Sequence, residues 1–393
     1  AAGDLNLDSD KGELSSTGTL TLESNQDINL NDDLDISDNL VFSADKDESG
    51  AGDINVSGDV ISHDHDITMT SANVDLVNSI NAGTQDIYLN TTNGRNIGVG
   101  DSVAEYNLSS SEMLLLTAND LYIGDNTSGD ITISGVDGAD TATITGVVNL
   151  EATKDDKQVI FEGANTFNGL NVLANNGILV QADLTTLEKE LNFNANSDNA
   201  SDGVDKTVVS DGVTIQSETF LTINSTNSEM QTLGVANILA KTGMDLNLDI
   251  TANGVLNINS DVDTDTDGEL PGGDFTLLSG NSIVSASSNI NIDANDIHLL
   301  GDIDTGSADL ELVSSDLGGI GIGDVSDQGM HIDNSELALI SATNLIIGDS
   351  DSGDILVNNV SSVSTTNIDN KTVLRANRVG ADVTFKETAS AFK

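Results

Sequence analysis

Two stretches of this chain are nearly the same, and their spacing limits what it can fold into. SEMLLLTANDLYIGDNTSGDI occupies residues 111–131 and SELALISATNLIIGDSDSGDI residues 335–355, a constant shift of 224. The shared beats include Leu121 and Ile123 against Leu345 and Ile347, and Gly124-Asp125 against Gly348-Asp349. A long repeat whose units alternate apolar and polar residues is the mark of a stacked architecture.

The duplication reaches well beyond that stretch. DITMTSANVDLVNSI at 66–80 matches NINIDANDIHLLGDI at 289–303, and GTQDIYLNTTNGRNIGVGD at 83–101 matches GSADLELVSSDLGGIGIGD at 306–324, both shifted by 223. Drifting offsets between preserved beats imply insertions that bulge outward from a stack. VIFEGANTF at 159–167 resembles VTFKETASAF at 383–392; the first copy then continues through residues 168–193 and the second does not. This reads as one continuous domain over 1–393, with a first copy at 1–170, connecting coils at 171–214 and a second copy at 215–393. It also reads as a module of a longer array.

Within each copy the period is two. Leu5/Leu7, Leu20/Leu22, Ile28/Leu30, Leu34/Ile36, Leu40/Phe42, Ile54/Val56, Ile67/Met69, Val74/Leu76, Ile87/Leu89, Ile97/Val99 and Tyr106/Leu108 each mark a short strand with one buried face. Asn, Asp, Ser and Gly between them are turn residues. Beats about seven residues apart imply three strands per turn, hence an all-β parallel β-helix of roughly 20 residues per coil. With strands ~4.8 Å apart, ~19 such coils would give a rod on the order of 90 Å long. LTTLEKEL at 184–191 is the one plausible helical turn, and reads equally as a charged loop. Asn-rich turns such as ANN at 174–176 are expected to stack as amide ladders inside coil corners.

Composition narrows function. With 13 Lys and Arg against 65 Asp and Glu, the formal net charge is −52, which excludes phosphate-backbone binding and anionic membrane surfaces. An extended stack keeps like charges apart and suits a saline or calcium-containing medium. There is no cysteine or tryptophan and only one proline, so Val, Ile and Leu must fill the core. Disorder is disfavoured by 37% apolar residues in alternation. No apolar run is long enough to span a bilayer.

The motif IGVGD or IGIGD, followed by a strand, SE-x-L and NL-x-IGD-x-x-SGDI, resembles the large repetitive surface proteins of the filamentous-haemagglutinin class. AAGDLNLDSDKGELSSTGTLTLES at 1–24 is similar to coils of that class. The resemblance implies a right-handed parallel β-helix, secretion to the bacterial surface or medium, and adhesive or fibre-forming roles. The amino-terminal secretion module usual in that class is not seen, and no Arg-Gly-Asp tripeptide occurs.

Chemistry-bearing motifs are few. In DVDTDTDGELPGGD at 261–274, Asp263, Asp265 and Asp267 fall at the first, third and fifth positions of a calcium-loop pattern, Gly268 at the sixth and Asp274 at the twelfth. The last ligand is Asp rather than Glu and no helices flank it, so a solvated acidic turn is the competing reading. The first-copy counterpart, ADKDESGAGD at 44–53, is shorter and carries Lys46. HDHD at 63–66 would place His63 and His65 on one side of a strand, either as a transition-metal pair or as a solvated edge. Four scattered histidines support no Ser/His/Asp triad, and no Gly-Lys-Ser/Thr marks a phosphate loop. Thr19/Thr21 and Thr68/Thr70 do not recur at one coil position, as an ice-matching array would require.

The ends differ in charge. Residues 1–50 carry 13 acidic and 2 basic side chains, and residues 371–393 carry 5 basic and 2 acidic. Opposite-signed ends of an open β-helix suit head-to-tail stacking of copies, or continuation into neighbouring modules of a longer chain. The expected function is therefore a non-enzymatic extracellular fibre, stalk or adhesin, with itself and surface glycans as partners and Ca2+ as the one candidate ion. The alternative is a carbohydrate-active enzyme on the same scaffold, which a groove of clustered carboxylates beside a lysine or arginine would favour.

Overall fold

The computed structural model describes residues 3–8, 14, 16, 18–200, 203–262, 272–315 and 318–393. Its contacts divide the chain into two compact units, residues 1–205 and 206–393, each of which is nearly all parallel β-sheet.

In the first unit the alternating beats become strands at the positions read from sequence. One ladder runs through Leu20–Glu23, Leu40–Ser43, Ile67–Ser71, Ile87–Thr91, Leu121–Asp125, Val148–Ala152, Leu170–Ala174 and Leu191–Asn194, each parallel to the next. A second joins Leu5–Leu7, Ile28–Leu30, Ile54–Val56 and Val74–Leu76, and a third joins Leu34–Asp35, Val60–Ile61, Ile80–Asn81 and Leu116–Thr117. Within these three ladders each strand pairs with a strand a full circuit later, never with its neighbour in the chain. Paired residues lie 20 apart at Leu20 and Leu40, 27 at Leu40 and Ile67, 20 at Ile67 and Ile87, and 34 at Ile87 and Leu121.

The register puts like upon like. Leu40, Ile67, Ile87, Leu121, Val148, Leu170 and Leu191 stack in one inward column with no more than 1% exposure. Each such side chain taken from water contributes about 1.5–3 kcal/mol, so the column is the main source of cohesion.

The second unit repeats the plan. Val213–Ser217, Ala236–Ala240, Leu256–Asn259, Ile290–Ala294, Asp309–Ser314, Ile340–Ile347 and Ile368–Leu374 form its longest ladder. Leu221–Thr232 and Met244–Ala252 turn a corner without a break, their register shifting between Asn224 and Glu229. Their first halves lead to Phe275–Leu277 and Ile297–Leu299, and the second half of Met244–Ala252 to Ser282–Ser285 and Asp302–Asp304.

Corner aspartates put part of the acidity to structural use. The residue before a strand often accepts, through its carboxylate, the backbone N–H of the equivalent residue one coil on. Asp27 takes Asp53 N at 2.9 Å, Asp33 takes Asp59 N at 2.9 Å, Asp86 takes Asp120 N at 3.0 Å and Asp120 takes Val147 N at 2.8 Å. Asp211, Asp249 and Asp354 do the same in the second unit. The cost is visible at Asp53, where burial first and the Asp27 carboxylate next push the carboxyl above its ordinary range. The duplicated GD-x-x-SGD run is a corner of another kind: Asp125 Oδ1 accepts Thr127 N and Ser128 N, and Asp349 Oδ1 accepts Asp351 N and Ser352 N.

Amide ladders form on strand faces, not at the expected corner. Asn55 donates to Asn29 and Asn29 to Asn6, both at 2.7 Å, and Asn291, Asn257 and Asn237 are joined at 2.8 Å. Asn175 and Asn176 instead accept the turn N–H groups of Asp156 and Val204. Alternation at mid-strand leaves the outward side chains in register, whereas the corner lengths vary from coil to coil.

LTTLEKEL is the loop alternative: a strand at Leu184–Thr186, a bend, and the next strand from Leu191. The α-helices lie elsewhere, at equivalent points of the two copies: α1 at Ser110–Met113 and α2 at Asn334–Ala338. Each starts in a capping box, Ser109 with Glu112 and Asp333 with Glu336. Just before each, the chain folds back on itself. Ile97–Gly100 pairs in parallel with Tyr106–Leu108 across residues 101–105, and Ile320–Gly323 with Met330–Ile332. Gly100 and Gly323, at φ 73° and 78°, make the reversal. Among the described residues no backbone ladder joins Tyr106–Leu108 to Val74–Leu76 below. Side chains bridge that seam: Asn107 N donates to Asn73 Oδ1 at 2.8 Å, and Leu76 N to Glu112 Oε1 at 3.1 Å.

Two substitutions test this packing. Leu121→Ala, in the middle of the inward column, is expected to cost about 2–5 kcal/mol. Tyr106 is fully buried and among the described residues its hydroxyl has no hydrogen-bond partner, so Tyr106→Phe is expected to stabilise by about 1 kcal/mol. Opposite shifts of the urea midpoint check both.

Candidate functional site

The acidic loop at 261–274 carries the calcium-loop pattern of the sequence. Asp263, Asp265 and Asp267 lie outside the described residues; Asp274 and the loop's other root are described. Asp274 precedes the strand Phe275–Leu277, accepts Asn295 Nδ2 at 2.8 Å, and lies 3.6 Å from His298 Nε2. At the opposite root Asp261 is buried, accepts the Ser315 hydroxyl at 2.5 Å and donates its N–H to Asn259 at 2.8 Å.

The first copy shows the same device with its loop in view. Asp45 is fully buried and accepts the Thr92 hydroxyl at 2.5 Å, Ser49 Oγ at 3.0 Å and Gly50 N at 2.9 Å. Arg95 closes the loop by donating to Gly50 O at 2.5 Å. Gly52 and Gly273 are equivalent, and a Cβ at either would fall on Asp45 or Asp261. Burial alone would push the Asp45 carboxyl up, but hydrogen bonds from Thr92, Ser49, Ala51 and Gly50 outweigh it and hold it below the usual carboxylate range.

The second feature lies in the seam beneath α2. Ile297–Leu299 and Met330–Ile332 are strands whose flanking residues point inward while His298 and His331 point outward. A cleft of about 250 Å³ opens there, lined by both histidines together with Asp296, Asp333, Glu336 and Leu300. Asp296 Oδ1 accepts His331 N at 2.7 Å and Ile297 N at 2.8 Å. Glu336 spans the seam, accepting Leu299 N at 3.2 Å and Asp333 N at 2.9 Å. Burial raises both the Asp296 and the Glu336 carboxyls, against the pull of those same hydrogen bonds. The first copy has the same scaffold with Asn73, Asp75, Asn107 and Ser109 where the second has Asp296, His298, His331 and Asp333; only the glutamate is kept, as Glu112.

A wider cleft of about 440 Å³ lies in the first unit between Asn96, Val103, Glu105, Asp130, Thr132 and Ile160. Glu105 accepts Asn96 N at 3.2 Å, Asp130 accepts Gln158 N at 3.1 Å, and Lys157 Nζ stands 4.0 Å from Asp130.

The HDHD motif is not the strand it was read as. His63 and Asp64 have φ of 53° and 63°, a left-handed turn, and His63 Nε2 contacts Asp35 Oδ1 at 2.5 Å across coils. The period-two rule does not apply to a turn, so His63 and His65 are not brought together as a pair on one face. His298 and His331, 33 residues apart, are the two that share a cleft. Among the described residues, no three His, Asp or Glu side chains already converge as a metal site. Comparison with known protein families, curated proteins and solved structures returns no match.

The loop anchor is expected to be pH-dependent. Because its folded pKa is depressed, Asp45 contributes stability that is present above its unfolded value, 3.8, and lost as pH falls through the lower folded one. Asp45→Asn is therefore expected to cost about 1.5–3 kcal/mol near neutral pH. Its gap to the parent chain should close in acid, as read from urea midpoints across pH.

Proposed function

We propose that this protein is a non-enzymatic structural solenoid, a right-handed parallel β-helix with coils of about 20 residues at their shortest, acting outside a bacterial cell as a fibre, stalk or adhesin. The observation that carries the reading is how the carboxylates are used. Corner aspartates such as Asp27, Asp33, Asp86, Asp120, Asp211 and Asp249 accept backbone N–H groups of the next coil, so they serve the stack rather than a reaction centre. The filamentous-haemagglutinin-like coil motifs supply the extracellular setting.

In this reading, copies associate head to tail or the chain is one module of a longer array, with surface glycans as further partners and neither nucleic acid nor membrane engaged. Val383–Phe385 exposes Val383 and Phe385, while the equivalent strand of the first copy, Val159–Phe161, is covered by Ile178–Val180. An edge of this kind accepts a further parallel strand. Electron micrographs of the purified chain over a range of concentrations are expected to show end-to-end assemblies. Single particles alone at the highest concentration would remove self-association.

Calcium belongs to the same proposal, held by Asp263, Asp265, Asp267 and Asp274. A chelator is then expected to lower the melting temperature of the parent chain, and Asp274→Asn to abolish that difference. Melting curves that ignore both calcium and chelator would leave a solvated acidic turn.

One observation favours the enzymatic alternative: Glu105, Asp130 and the nearby Lys157 are the carboxylate-and-lysine grouping a carbohydrate-active enzyme would use. Both carboxylates already accept backbone N–H groups, which supports the structural reading. Cleavage of an acidic polysaccharide by the parent chain, lost in Glu105→Gln, would reverse that ranking.

A further inference from the structure

The second-copy seam departs from the first in one chemical direction. Asn73, Asp75, Asn107 and Ser109 give way to Asp296, His298, His331 and Asp333, so amides and a hydroxyl are replaced by imidazoles and carboxylates on an unchanged backbone plan. The change of residue type is not needed to hold the seam. The bridge from Leu299 N to Glu336 is made by Leu76 N and Glu112 in the first copy, and the bridge from His331 N to Asp296 by Asn107 N and Asn73. An amide oxygen thus suffices where the second copy carries a carboxylate, and outward imidazoles add nothing to either bridge.

We propose that His298 and His331 are the nitrogen ligands of a borderline divalent transition metal, Zn2+ or Ni2+, bound in this cleft, with Asp296 as the oxygen ligand. Imidazole with carboxylate is a donor set for such ions, and a poor one for calcium, which takes oxygen alone. Asp296 uses Oδ1 for its two backbone donors, and among the described residues Oδ2 has no hydrogen bond. Each imidazole is engaged by one longer contact, His298 Nε2 to Asp274 at 3.6 Å and His331 Nε2 to Gly323 O at 3.2 Å. Both side chains line the one cleft, and binding would require each ring to leave its present contact by rotating about its own side-chain bonds. The ion would cross-link two strands that no backbone ladder joins among the described residues, at the seam bridged by His331 N to Asp296 and Leu299 N to Glu336.

The test is equilibrium dialysis of the full chain against Zn2+ and, separately, Ni2+, in excess calcium to occupy oxygen-only sites. The parent chain is expected to bind one ion, and the ion to raise its melting temperature. His298→Ala and His331→Ala should each weaken binding by at least the ~10-fold that losing even an outer-shell partner costs. His63→Ala with His65→Ala should leave it unchanged. Because a seam variant can fail to fold, a gain-of-function arm accompanies it: Asn73→Asp, Asp75→His and Asn107→His together should add a second ion per chain. Undiminished binding in His298→Ala and His331→Ala, or no binding by the parent chain, overturns the proposal.

Discussion

Parallel register is the constraint on which the rest depends. A strand that pairs with its counterpart one circuit later brings each inward aliphatic side chain directly over its predecessor, and a slip of one residue would turn the column outward. Leu121 therefore meets Ile87 on one side and Val148 on the other. Circuit length is free provided register returns, which is why paired residues can be 20, 27 or 34 apart without disturbing the core.

The same register creates the acidity problem and much of its solution. A residue type favoured at a corner recurs in the next coil, so aspartate lies near aspartate. Repulsion and burial raise the carboxyl of Asp53, yet the hydrogen bond from each following N–H is charge-assisted and geometrically fixed. In water such carboxylates remain hydrated on one side, and the like-charge term is screened within about 10 Å at 0.1 M salt. Charge and stack are compatible because the charges sit at corners and on outward strand faces, and the aliphatic columns inside.

Most of the strand framework was legible because period two survives every insertion: Ile28/Leu30, Ile54/Val56 and Val74/Leu76 are read from sequence and found in one ladder. What escaped was local or long-range. The helices at Ser110 and Asn334 carry a signal that could have found them, a Ser or Asp followed three residues later by Glu, but it lies inside a segment whose apolar beats read as strand. LTTLEKEL has helical composition and is held as strand and bend by ladder pairing to Asn165–Phe167. His63 and His65 looked paired because alternation was assumed across a turn. His298 and His331 could not be linked from sequence, since only the fold-back between Ile320–Gly323 and Met330–Ile332 sets the second beside the first.

The fold-back is a store of chain length. At Tyr106–Leu108 and again at Met330–Ile332 the chain returns beneath the strand it has just left, tucking extra contour length behind a seam. That seam is bridged by Asn107 N to Asn73 and Leu76 N to Glu112 in one unit, and by His331 N to Asp296 and Leu299 N to Glu336 in the other, so both copies keep their spare length at the same point.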